Sequence, residues 1–119
     1  EYGLHVDMAS GPTQEVILFL DNGTAVPPRY DDGVDSVVEQ IILDSRFEIF
    51  DVCLGDSSSQ NCDIDNLTIS FIRPDFDAAF TASPLPSSQD VATIHLRAIG
   101  DPSTTRFVEL NSTGLISVK

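Results

Sequence analysis

Between Tyr2 and Val118 the apolar residues recur at every second position, in short runs divided by turn formers. A period of two sends alternate side chains to opposite faces of an extended strand, whereas a helix needs a period of about 3.6. No segment sustains the roughly 10 to 12 residues of helical pattern that a crossover between parallel strands requires. The sequence therefore predicts a mainly β fold built from antiparallel strands. A chain of 119 residues, 41% of them hydrophobic, has the material for one core and is too short for two, so 1–119 is expected to be a single domain.

Strands are expected over 2–6, 15–20, 36–43, 47–54, 67–72, 75–82, 91–99, 106–110 and 115–118, a meander of six to nine short elements. Val16-Ile17-Leu18-Phe19-Leu20 is apolar on both faces and is expected to lie inside a sheet. The 36–43 run fits a helical turn as well as a strand, but its β-branched Val37, Val38, Ile41 and Ile42 favour the strand. Within 47–54, Phe47, Ile49 and Asp51 share one face and Glu48, Phe50 and Val52 the other. Gly100-Asp101-Pro102-Ser103 reads as a loop between paired strands, and Asn111-Ser112-Thr113-Gly114 as a tighter turn.

Nineteen acidic residues against six basic ones give a formal net charge of -13. Such a field repels phosphate backbones and anionic lipid surfaces, so no nucleic-acid partner is expected. The charge is uneven, with eleven acidic residues against Arg29 and Arg46 between Asp21 and Asp65. Cys53 and Cys62 are separated by a polar stretch, and neither His5 nor His95 lies near them in sequence to complete a zinc site. A disulfide closing a small loop is the expected outcome, with two free thiols as the alternative, and it implies an oxidising compartment.

Asp21, Asp31, Asp32, Asp35 and Glu39 could converge if the two strand ends they flank are adjacent, and several carboxylates with carbonyl oxygens suit calcium. Gly23 and Gly33 would permit the sharp turns such a site needs, although the order of an EF-hand loop is absent. The alternative is a solvated loop of Asx-turns. No catalyst is expected. His95 alternates out of phase with Ile94 and Leu96 and reads as a surface-facing strand residue, and no G-x-S-x-G elbow is present. Asn22-Gly23-Thr24, Asn66-Leu67-Thr68 and Asn111-Ser112-Thr113 match the N-glycan acceptor pattern, and they equally suit Asn in turns beside strand-forming Thr.

The order Tyr2-Gly3-Leu4-His5-Val6, Val16 to Gly23 and Tyr30-Asp31-Asp32-Gly33-Val34-Asp35 resembles the globular part of bacterial type IV pilin-like proteins. Leu67 to Ala78, with Arg73-Pro74-Asp75 at its turn, is similar to a strand and turn of the minor pseudopilins of type II secretion. Ala92 to Leu96 followed by Arg106 to Val118 is similar to their closing hairpin. The resemblance implies a structural subunit of a pilus or secretion filament, partnered by other pilin or pseudopilin subunits at the cell envelope or extracellular face. It also implies an amino-terminal helix, expected to lie outside this chain, as the sole membrane contact, and apolar sheet residues left for it to cover. Family members that take up DNA carry a Gly-Arg motif near the carboxyl terminus, but Gly114 is followed here by Leu115. The alternative is a secreted, calcium-stabilised β-sandwich binding module.

Overall fold

The computed structural model describes residues 2–20, 36–56, 58–72, 77–83, 86 and 88–118. Its elements run β1 (Tyr2–Asp7), β2 (Glu15–Leu20), β3 (Ser36–Ile42), β4 (Phe47–Gly55), β5 (Gln60–Asn61), β6 (Asn66–Ile72), β7 (Asp77–Ser83), β8 (Val91–Ala98), β9 (Asp101–Asn111) and β10 (Ile116–Val118). They form two five-stranded sheets, ordered β3-β2-β1-β6-β7 and β10-β9-β8-β4-β5. Every pairing is antiparallel. No helix occurs among the described residues, and none there is long and apolar enough to cross a membrane.

The chain is thus a β-sandwich, and the expected meander holds only locally. In the first sheet β1 lies between β2 and β6, with Leu4 opposite both Leu18 and Ile69, so the sheet is completed by a strand from much later in the chain. The core fills the space between the sheets. Val6, Leu67, Ile69 and Phe80 from one sheet meet Ile49, Val52, Leu54, Ala92 and Leu110 from the other, with Ile64 packed beside them. Backbone bonds bind the layers at their margins: Thr13 and Ile49 exchange N–H···O bonds of 3.0 and 2.7 Å, and Ala78 N donates to Ser112 O at 3.0 Å.

Three departures from simple alternation shape the sheets. A bulge between Ile49 and Asp51 makes Phe50 an extra residue, so Val52 and not Asp51 shares the core face with Ile49. The alternation expected across 47–54 is corrected by this inserted residue, which resets the phase. A second bulge falls between Leu18 and Phe19 opposite β3. The loop expected at Gly100 to Ser103 is shorter than its composition suggests. Ala98 pairs with Asp101 while Arg97 pairs with Thr105, so β9 begins at Asp101 and the residues between bulge outward. The Asp101 carboxylate accepts from Ser103 Oγ at 2.6 Å and from Thr104 Oγ1 at 2.8 Å, which satisfies this polar bulge locally.

Gly3 is needed where it stands. A Cβ there would meet the Phe19 ring at 2.6 Å and the Ile69 carbonyl oxygen at 2.7 Å. Phe19 is wholly buried across it, on the face of the first sheet turned away from the core cluster.

Candidate functional site

The four carboxylates Asp21, Asp31, Asp32 and Asp35 of the expected calcium site lie outside the described residues. The fifth, Glu39, is exposed on β3 opposite Leu18. Its strand is the outermost of its sheet among the described residues, and all seven of its residues are exposed, including Val37 and Val38 at 52% each and Ile42 at 68%. At the margin of the other sheet, Ile116 and Val118 of β10 and the preceding Leu115 are exposed as well. Among the described residues, the exposed apolar side chains of β3 and β10 lie along two sheet margins.

Cys53 and Cys62 are bonded, as their spacing predicts. Cys53 sits buried in β4 and Cys62 follows β5, so the bond staples a hairpin whose turn is built on Asp56. Asp56 Oδ1 accepts from Ser58 N at 2.9 Å, Ser58 Oγ at 2.8 Å and Ser59 N at 2.8 Å. These bonds, the Ser58 hydroxyl first, hold its carboxyl below the usual carboxylate range. Beside the hairpin lies a cleft of about 200 Å³ lined by Leu54, Gly55, Asp56, Ser59, Asn61, Pro86 and Ser88.

Asp51 brings a carboxylate oxygen within 4.8 Å of both cysteine sulfurs, a group that could hold a metal ion. The donor set decides which ion and when. Sulfurs joined to each other are poor ligands, and after reduction two thiolates with one carboxylate suit a soft ion such as zinc far better than calcium.

The outward face of the second sheet carries a half-buried cluster set by the register of β4, β8 and β9. Arg97 Nε donates to Glu48 Oε1 at 2.9 Å, with side-chain exposures of 31% and 19%, and the guanidinium lies 5.0 Å from the Phe50 ring centre. His95 packs edge-on to Phe50 at 5.9 Å and tilted against Phe107 at 5.4 Å. His95 is on the solvent side, as its phase predicts, but enclosed by aromatic rings that alternation alone does not reveal. The bulge at Phe50 is the cause, since it turns two consecutive residues, Phe50 and Asp51, toward one face.

The other histidine, His5, holds Thr68 Oγ1 at 2.9 Å from its Nδ1. Burial pushes its pKa below 6.5, and the nearby Asp7 charge opposes the shift only in part. The pair has the spacing of a base and a nucleophile. Thr68 is only 2% exposed within a paired central strand, however, and a hydroxyl so enclosed offers no approach to a substrate. Comparison with protein-family models, curated proteins and solved structures finds no match to this chain.

Proposed function

We propose that this domain is a structural subunit of pilin-like or minor-pseudopilin type, working in an oxidising compartment at the cell envelope or beyond it, and not a catalyst. The exposed apolar margin at β3 carries this reading. Among the described strands β3 is the outermost of its sheet, and Val37, Val38 and Ile42 at its surface are apolar area suited to contact with neighbouring subunits. The Cys53–Cys62 bond supports the compartment. The resemblance of its residue runs, in their order and spacing along the sequence, to pilin-like proteins supplies the class of assembly.

The test uses the gene with its native upstream region and a photo-crosslinking residue at Ile42. Adducts with other pilin-like subunits are expected in cells, and a control at exposed Thr105 on β9 should give few. If Ile42 yields no subunit adducts, the structural reading fails. The two-sheet core, closed without outside help, favours the second reading, a secreted β-sandwich binding module. In that reading calcium held by Asp21, Asp31, Asp32, Asp35 and Glu39 stabilises the fold, and millimolar calcium raises the Tm where magnesium does not.

A further inference from the structure

We propose that Asn111 is an acceptor for an N-linked glycan in the folded protein, and that Asn66 is not. Both begin an N-x-Thr triplet, so sequence ranks them equally. The fold separates them.

Asn66 opens β6, which is paired on both sides, with Asn66 opposite Asp7 of β1 and Ser83 of β7. Its Thr68 is buried and bonded to His5. To present this triplet, a transferase would have to strip a central strand from two neighbours and expose a core-adjacent hydroxyl.

Asn111 ends β9 at the turn into β10, and Ser112, Thr113 and Leu115 are exposed. Gly114, at φ 87°, lets the chain reverse there. Asn111 Oδ1 accepts from Thr113 N at 3.1 Å, Thr113 Oγ1 at 2.5 Å and Leu115 N at 3.1 Å. The three donors fix the carboxamide and draw charge toward its oxygen, which makes the Nδ2 protons more acidic. Nδ2 itself makes no hydrogen bond, and no buried polar side-chain atom among the described residues lacks a partner, so Nδ2 of the half-buried Asn111 is not sealed from solvent. The turn is also held from behind, because Ser112 O accepts from Ala78 N at 3.0 Å and Ser112 N donates to Asp90 O at 2.9 Å. The acceptor geometry is therefore built into the folded chain and needs no local unfolding.

The co-substrate is an oligosaccharide joined to a polyprenyl pyrophosphate. Nδ2 attacks the anomeric carbon, the new N–C bond forms as the C–O bond to pyrophosphate breaks, and the lipid pyrophosphate leaves with the electron pair. The proton lost from Nδ2 passes to a carboxylate base of the transferase. The Cys53–Cys62 bond suits an oxidising compartment, the kind in which such transfer takes place.

The experiment offers the purified, disulfide-intact chain, free of glycan, to a single-subunit oligosaccharyltransferase with a polyprenyl-pyrophosphate heptasaccharide, and reads each site by peptide mass mapping. Synthetic peptides spanning 63–71 and 108–116 serve as unfolded acceptors. In the folded chain occupancy of Asn111 should exceed that of Asn66 by at least about tenfold, the difference expected of a triplet at a strand end with its Thr exposed against one inside a strand paired on both sides with its Thr buried. Both peptides should be modified to similar extents. Asn111→Gln and Thr113→Ala should abolish transfer at the turn, while Thr113→Ser retains it. Failure of transfer to Asn111 in the folded chain overturns the proposal, and so does equal occupancy of Asn66.

Discussion

β3 and β4 are both rich in large apolar residues, yet Val37, Val38 and Ile42 of β3 are more than half exposed while Ile49, Val52 and Leu54 of β4 are almost wholly buried. The difference lies in their neighbours. β4 pairs with β8 along most of its length, gains β5 at its end, bonds Thr13 at Ile49 and faces the other sheet across the core. β3 has β2 alone among the described strands. Apolar content makes a strand, but only a place within the sandwich removes it from water.

The sharpest way to break this comparison is to truncate one residue from each strand. Leu54→Ala should cost about 3 to 4 kcal/mol, because the lost contacts and the residual cavity both fall within a packed core. Ile42→Ala should cost under about 0.5 kcal/mol, as expected for a surface position. Urea unfolding measures both, and similar costs would show that β3 is covered in solution.

The disulfide sharpens the contrast next. It links buried Cys53 of β4 to exposed Cys62 across a short hairpin, so it reinforces the half of the molecule that is already best packed. Replacing both cysteines by alanine should lower stability by about 2 to 3 kcal/mol through the unfolded chain's regained freedom. A loss well below about 1 kcal/mol on the same urea curves would mean that the packing around β4 suffices without the bond.

The smallest effect probes the first sheet through His5. Its folded pKa lies below 6.5, so unfolding takes up a proton as the pH falls below that value. Its contribution is fully present above pH 6.5 and is lost as pH falls from there through the lower folded-state value. Asp44, Asp56 and Asp101, whose pKa values lie below 3.8, act only at more acid pH. Between about pH 7.5 and about pH 5 the urea midpoint should therefore drift downward in the native chain and less in His5→Gln. An unchanged drift in the variant would assign it to another group.

Much of this architecture is legible in the residues. Alternation finds the strands because most of them have one face on the core, and Val16 to Leu20 reads as interior because β2 is paired on both sides. Cysteine number and spacing foretell the staple. Alternation says nothing of which strands become neighbours, however, so the split into two sheets and the placing of β6 beside β1 stay hidden. Gln60 and Asn61 carry no apolar signal, and β5 exists only because Asp56 and the disulfide fold them back on β4. The bulge at Phe50 is silent for a similar reason, since one inserted residue looks like ordinary sequence until the partner strand is known. The two glycan triplets are alike in composition and differ only in the strands around them.

The place of β1 also bears on how the protein emerges from the ribosome. One of its edges is filled by β2, only a short turn away, but the other waits for β6, and His5 and Thr68 are 63 residues apart. At synthesis rates of about 5 to 20 residues per second, that wait is roughly 3 to 13 seconds. Throughout it, a nascent hairpin presents Leu4, Val6 and Leu18 with one open strand edge to whatever passes. Export machinery or a holding chaperone that engages the chain in this interval would keep it from pairing with a neighbouring nascent copy.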